Sequence, residues 1–492
     1  MFGGSSLSLH KDPKGLDQRS LEIAGELSSI PAGEPVLVVS HLDADGITSG
    51  SIIAAALIRS GAAPHIRIVK QLDEAALGGI LPIKARHVIF TDLGTGQKGL
   101  LRSFGSEDRR LFVIDHHQPT PGAQGQETDS GIIELNPHLF GFDGSTEISA
   151  AGTAFLVAKK MSSENSSLAP LAIVGALGDM QDKGDRSSLI GLNASIADEA
   201  QKSGQVAIVK GLKLYGFESR PLVKCLEYTL NPYLPGLSGD EGACFKFLKD
   251  AGVDPRKPDG SWRSISDLST EEIRQVTNAL IKYLISQGLS SQDAESVVGV
   301  VYSIKSETVD SPLRDAREYS SSINACGRLG RYGLGIALCF GDRSGALSEL
   351  KELLLEYRKT IAGYLKWLER NQSAVRMMNS IQVILAGSNI DDRMIGTIIS
   401  IAFSMKPFTR SKPIFGLSNA EGVVKVSARG TTELVRRGLD LGSAVREASE
   451  RVGGTGGGHN IAAGGQIPIG KEEEFISIAD GIVTKMIGEV RL

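Results

Sequence analysis

The stretch VLVVSHLDADG, residues 36–46, decides the fold. Its first five residues, four of them apolar and closed by Ser40, are long enough for one buried strand, and His41, Asp43 and Asp45 follow at once. Small residues then run from Ile47 to about Ser60, which reads as a helix packed close against that strand. A buried strand that ends in a polar cluster and turns into a helix is the repeating unit of a parallel α/β sheet.

Further strands are predicted on either side, at 65–70 (HIRIVK), 87–91 (HVIFT) and 111–114 (LFVI), with helical stretches near 147–161 and 168–178. The expected fold class is therefore α/β, a doubly wound parallel sheet whose carboxyl edge carries the polar clusters. In open parallel sheets that edge is where ligands sit. The remainder divides by composition: 30–235 with 316–343 as the parallel-sheet domain, 236–315 as an inserted subdomain rich in turns, 344–378 as a long linking helix, and 379–492 as a smaller α/β domain. In the linking helix Leu347, Leu350, Leu354, Tyr357, Ile361, Tyr364 and Leu368 step by three and four, a stripe that reads as packing on the chain's own domains. The final domain has strands predicted near 381–386, 413–417 and 422–427, and a Gly-rich loop near 453–465.

Four clusters carry chemistry. They are His41, Asp43 and Asp45 in HLDADG; Asp92 in FTDLG; Asp115, His116 and His117 in VIDHH; and Asp179, with Asp182 close behind it, in GALGDMQD. An aspartate after a strand is commonly a helix cap or a turn former, so no single one of them is informative. Together, in this order in a strand–helix pattern, they aim five carboxylates at one crevice, which demands neutralising cations. Mixed carboxylate and imidazole donors suit a borderline ion such as Mn²⁺, with Mg²⁺ the alternative. A pair of such cations bridged by a carboxylate is the usual device for displacement at phosphorus.

In these motifs the chain resembles the DHH phosphoesterases with a DHHA1 domain behind, and within them the archaeal RecJ-like, GINS-associated nucleases. The resemblance implies a dinuclear site with His41, Asp43, Asp45, Asp92, His116 and Asp179 as ligands, Asp92 as the bridge, and His117 near the scissile phosphate. It favours Asp179 over Asp182 in the fourth motif and gives Asp115 the task of orienting an imidazole or the turn. GGTGGGHNIAAGG (453–465) matches a DHHA1 motif, which implies that Gly457, Gly458 and His459 grip a nucleic-acid strand at the cleft. Arg429 in VKVSARG resembles a phosphate-holding basic residue. SSINACGRLG places Asn324 and Arg328 on the polar positions of a RecJ-like segment, where a turn-fixing role competes with a phosphate clamp.

The function implied is a metal-dependent, single-strand-specific exonuclease on DNA, with RNA as a second substrate. It would run 5′→3′ by default, in replication or repair. Two alternatives stand beside it, an oligonucleotide or cyclic-dinucleotide phosphodiesterase, and a replisome scaffold bound to GINS and the replicative helicase complex. A net charge of −4 speaks against a passive DNA-coating protein. Gly94, Gly96 and Gly99 form a GxGxxG after a strand, but a dinucleotide site would leave HLDADG and the paired histidines unexplained. Four cysteines without a CxxC pair fit a reducing cytoplasmic setting. The first residues, MFGGSSLSLHKDPKG, lack a signal pattern, and the apolar run near Ile52–Ile58 is too short for a membrane span, so no membrane partner is expected.

Overall fold

The computed structural model describes residues 11–105, 108–119, 131–230 and 232–488; Met1–His10 of the N-terminal stretch lie outside these. The chain divides into two units, 1–226 with 244–353, and 227–243 with 354–492.

The first unit opens with α1 (Pro13–Ser28), β1 (Pro35–His41), α2 (Ala44–Arg59), β2 (Ala63–Val69), α3 (Glu74–Ile80), β3 (His87–Thr91), α4 (Lys98–Phe104), β4 (Arg110–Ile114) and β5 (Ile132–Leu135). These five strands form one parallel sheet in the order β2-β1-β3-β4-β5. The chain first adds β2 on one side of β1 and then β3 on the other, so the strand order reverses at β1. Side chains alternate across each strand. Leu37, Val39, Val88, Phe90, Leu111 and Val113 face one way and pack with Leu77 and Ile80 of α3 and Leu101 and Phe104 of α4. Helix α2 packs on β1 and β2, joined by α5 (Ala150–Met161) and α6 (Ala169–Gly178). The glycine-punctuated stretch after β3 is a tight turn at Gly94, with φ of 114°, followed by the short α4.

After α7 (Gly191–Lys202), β6 (Val206–Leu212) pairs antiparallel with the much later β7 (Val298–Ile304). Between them lie α8 (Leu222–Tyr228), α9 (Glu241–Asp250), α10 (Thr270–Ser286) and α11 (Ser291–Glu295). Helices α12 (Ala316–Arg328) and α13 (Tyr332–Cys339) follow. The boundary between the units falls inside the 26-residue α14 (Gly345–Arg370).

The second unit contains β8 (Val375–Met377), β9 (Gln382–Gly387), α15 (Ile395–Ala402), β10 (Ile414–Ala420), β11 (Val423–Arg429), α16 (Thr432–Arg436), α17 (Leu441–Arg451), β12 (Thr455–Gly458), β13 (Ala462–Pro468) and α18 (Glu472–Ile487). Its sheet runs β12-β13-β11-β10-β9-β8. Ile361 and Leu368 of the α14 stripe are buried with Ile384, Ile395 and Ile399, flanked by Tyr357 and Tyr364. The part of the stripe from Tyr357 to Leu368 therefore packs on this unit's own core.

The stretch expected to be a Gly-rich loop at 453–465 is instead a hairpin, β12 and β13, whose strands pair in register. Glycine hides the strands because it lacks the side chains that carry a strand signal. It is needed for packing: a Cβ on Gly456 would lie 2.9 Å from Val445 Cγ1 of α17. All four cysteines are free thiols. Among the described residues, no helix is long and apolar enough to cross a membrane.

Candidate metal centre

The register of the parallel sheet builds the site. Ser40 of β1 lies beside Thr91 of β3, which lies beside Ile114 of β4, which lies beside Leu135 of β5. The next residues, His41, Asp92, Asp115 and Asn136, therefore line up across four neighbouring strand ends. Backbone bonds carry the ladder one step further, from Asp92 N to the Ile114 carbonyl and from Asp115 N to the Leu135 carbonyl, both 3.1 Å. The Thr91 hydroxyl donates to Ser40 Oγ at 2.7 Å, and Ser40 Oγ donates to the Gly46 carbonyl at 2.5 Å, tying β1, β3 and the start of α2 together.

Each acid is placed by a local device. Asp43 caps α2, accepting Gly46 N at 3.0 Å. Asp45, in the first turn of that helix, is fully buried and accepts Ala150 N at 2.7 Å and Ala151 N at 2.9 Å, so it also caps α5. Asp92 takes a left-handed backbone with φ of 60°, a conformation that costs energy outside glycine and clusters at functional sites. Asp179 follows the last residue of α6, and Met180 behind it is left-handed at 56°. Gly175 permits the approach of α6: a Cβ there would fall 2.4 Å from both Asp45 Oδ1 and Ala151 Cβ.

These devices bring three of the four clusters together with the first acid of the fourth. His41 Nδ1 is 2.9 Å from Asp43 Oδ2 and 3.5 Å from Asp92 Oδ2. His116 Nε2 is 3.3 Å from Asp92 Oδ1, 3.3 Å from Asp179 Oδ2 and 3.7 Å from Asp45 Oδ2. The two oxygens of Asp92 thus look into different donor groups. Asp182 does not join them; it pairs with Arg317 at 2.7 Å. Asp115 is engaged by its own turn: it accepts Thr95 N, His116 N and His117 N and pairs with His117 Nδ1 at 2.8 Å. It fixes the turn and turns the half-exposed His117 ring.

Three groups of donor atoms lie within 4.8 Å of one another: His41–Asp43–Asp92, Asp45–His116–Asp179, and Asp92–Asp115–His116–His117. Oxygen and imidazole nitrogen in such overlapping sets fit divalent cations of the Mn²⁺ or Mg²⁺ kind. The proton affinities show the same crowding. Burial, and then the charge of Asp92, push Asp45 up to about 7. Burial and Asp45 raise Asp179 well above the carboxylate range. Burial disfavours the charged forms of His41, His116 and His117, but facing carboxylates outweigh it and raise all three. Burial also opposes ionisation of Asp43 and Asp115, yet His41 and His117 respectively hold them well below the usual range.

A supporting network was not foreseen from sequence. His116 Nδ1 lies 2.6 Å from the Gly144 carbonyl, which also accepts Gln181 Nε2 at 2.8 Å; Gln181 in turn accepts Asn193 Nδ2 at 2.7 Å. This assigns the Nδ1–H tautomer and points Nε2 at the carboxylates. Gln181 follows Asp179 by two positions, a weak signal; Gly144 and Asn193 carry none. Asn324 fixes the start of α2, its Oδ1 accepting Ala44 N at 3.1 Å. The charge of Arg328, at the end of α12, contributes to lowering Asp43.

In the second unit, Gly457 and Gly458 lie in β12 and His459 in the turn after it. Ala462 opposes Arg429 of β11 on one side and accepts His459 N at 2.8 Å on the other, so Arg429 and His459 share one end of that sheet.

Residues 35–176 match the DHH family N-terminal domain, 214–298 the DHH-CID domain and 380–485 the DHHA1 domain. An uncharacterised protein of Methanocaldococcus jannaschii is 31% identical over 455 residues, which cover 92% of this chain and 94% of that one. Among solved structures, RecJ of Thermus thermophilus in complex with Mn²⁺ matches with a TM-score of 0.58 at 18% identity over 98% of this chain, which spans only 57% of that RecJ. CDC45 of Entamoeba histolytica matches with a TM-score of 0.60 at 11% identity, over 96% of this chain and 97% of that one. At such identities these two likenesses bear on the fold alone.

Proposed function

Because the chain belongs to the DHH family of phosphoesterases, carrying its DHH, DHH-CID and DHHA1 domains, we propose that it hydrolyses single-stranded nucleic acid one nucleotide at a time from an end. DNA is the leading substrate, RNA the second, and 5′→3′ the direction.

One observation carries the reading. Asp92 offers Oδ2 at 3.5 Å to His41 and Oδ1 at 3.3 Å to His116, the geometry of a carboxylate shared by two cation sites. In this proposal His41 and Asp43 complete one site, and Asp45, His116 and Asp179 the other. Two divalent cations there, Mn²⁺ or Mg²⁺, would polarise the phosphate and lower the pKa of the attacking water. The side chains do the rest. Asp115 holds His117 through Nδ1 and leaves its ring half-exposed, which supports a role for His117 next to the scissile phosphate. Arg328, Arg429, Gly457, Gly458 and His459 are proposed to bind the strand. Every motif position holds a donor, which favours hydrolysis over a purely scaffolding role beside GINS.

The test is digestion of 5′- and 3′-labelled DNA and RNA strands with Mn²⁺ and with Mg²⁺. Stepwise release of mononucleotides is expected. Intact strands under every condition overturn the nuclease reading, and a rate highest on dinucleotides moves the assignment to short oligonucleotides.

A further inference from the structure

Just past the fourth motif, three cations share one neighbouring carboxylate. Arg317 of α12 donates through Nη1 to Asp182 Oδ2 at 2.7 Å and through Nη2 to the Ser187 carbonyl at 2.9 Å. Lys213, one residue beyond β6, donates through Nζ to the Ser187 hydroxyl at 2.6 Å. Lys183 is exposed beside Asp182. The charges of Arg317 and Lys183 both act on Lys213, and that of Arg317 on Lys183. Burial first, and then Arg317, lower Lys213 to about 8. Arg317 Nε is buried without an acceptor among the described residues, so the cluster has donors in excess.

The surrounding backbone is shaped to hold this excess. Met180, Arg186 and Ser187 all take left-handed conformations, with φ of 56°, 50° and 56°. Gly299 of β7 makes room: a Cβ there would lie 2.6 Å from Lys213 Cδ and 2.5 Å from the Arg186 carbonyl. The lysine stem and the strained segment are thus laid over a bare point of the strand. Like charges gathered this way are stabilised by an anion, and a phosphate can accept from several donors at once. Asp182 is three residues from Asp179, so the two are at most about 11 Å apart along the chain. The cluster therefore adjoins the metal centre within the same unit.

We propose that Lys183, Lys213 and Arg317 form a phosphate subsite holding a backbone phosphate of the strand next to the one at the metal centre. This rests on the nuclease reading above. The subsite would set how firmly a strand is held, with no part in the bond-breaking step.

The test compares wild type, Lys183→Gln/Lys213→Met, Lys213→Arg and Lys210→Met on a labelled ten-nucleotide single strand with Mn²⁺, across a salt series. Methionine keeps the lysine stem over Gly299, and Lys210, exposed on β6, controls for the loss of a lysine charge outside the cluster. In the double variant KM is expected to rise roughly tenfold or more, with kcat changed far less. The slope of log kcat/KM against log salt should become shallower by about 0.7, the value for one single-strand phosphate contact. Lys213→Arg should retain most of the wild-type KM. A double variant with wild-type KM and slope, or an equal change in Lys210→Met, overturns the subsite and leaves the nuclease standing. Wild type that leaves the strand intact overturns the nuclease reading and the subsite with it. If the double variant does not fold, Lys183→Gln at its exposed position decides by the same two readouts.

Discussion

The side-chain amide of Gln181 donates to the Gly144 carbonyl at 2.8 Å, the same oxygen that lies 2.6 Å from His116 Nδ1. A buried glutamine thus helps to hold the acceptor that sets the imidazole. Replacing it by leucine removes that donor and leaves Asn193 Nδ2 without its acceptor. Such partners of a metal-binding histidine are commonly worth about 10–100-fold in metal affinity. Gln181→Leu should therefore shift the Mn²⁺ activation curve to higher concentration by that order, with much of the maximal rate recovered at saturation. An unchanged activation midpoint would show that the network does not orient His116.

Asp92 separates charge from backbone. Asparagine tolerates the left-handed region at least as well as aspartate, so Asp92→Asn should fold while losing the shared carboxylate. Hydrolysis is expected to fall by at least about a hundredfold. Titration calorimetry should show one or both Mn²⁺ binding events gone. Asp92→Ala should be at least as inactive. Near-normal turnover in either variant removes Asp92 from the role of bridge.

Proton and cation compete for the same groups, with a definite sign. Asp45, moved from 3.8 to about 7, and Asp179, also raised, bind protons more tightly when folded. So do His41, His116 and His117, all raised above 6.5. Their stabilising contribution is complete below those ordinary values and is lost as pH climbs through the folded ones. Asp43 and Asp115 are depressed, so their contribution is present above 3.8 and fades only in stronger acid. Between pH 5.5 and 8 the raised groups decide, and the metal-free protein should lose stability. Mn²⁺ takes the place of those protons, so the rise in Tm on its addition should be larger at pH 8 than at pH 5.5. Equal rises at both values would contradict this linkage.

Gly327 of α12 touches the turn between β1 and α2 closely enough that a Cβ would fall 1.8 Å from the Leu42 carbonyl oxygen. Gly327→Ala must push α12 away from HLDADG, and with it Asn324, which holds Ala44 N. Overpacking of this kind typically costs about 1–3 kcal/mol. A lower urea midpoint together with weaker Mn²⁺ binding is expected. Loss of stability with unchanged Mn²⁺ affinity would mean that α12 supports the fold but not the placement of Asp43.

The parallel sheet could be read from sequence because β1, β3 and β4 are apolar runs that stop at polar clusters. His41, Asp92 and Asp115 then follow directly from the register. What stayed hidden depends on contacts between distant segments. Nothing near Asp45 announces that its oxygens meet Ala150 and Ala151, and nothing near Asn193 announces Gln181. Asp179 and Asp182 differ only in which way α6 ends, and Arg317, far along the chain, draws the second away. In the second unit, glycines concealed β12 and β13 because strand propensity resides in side chains they lack.

Backbone is left-handed both at Asp92 and at Met180, the residue after Asp179. Selection for heat resistance alone would draw both positions toward glycine, which takes that conformation freely. At 180, where the methionine is largely exposed, such a change relaxes the chain and removes no ligand candidate. At 92 the same relaxation deletes a functional group. Robust folding therefore conflicts with the proposed function at 92 but not at 180, and a hardened version of this protein is best begun at 180.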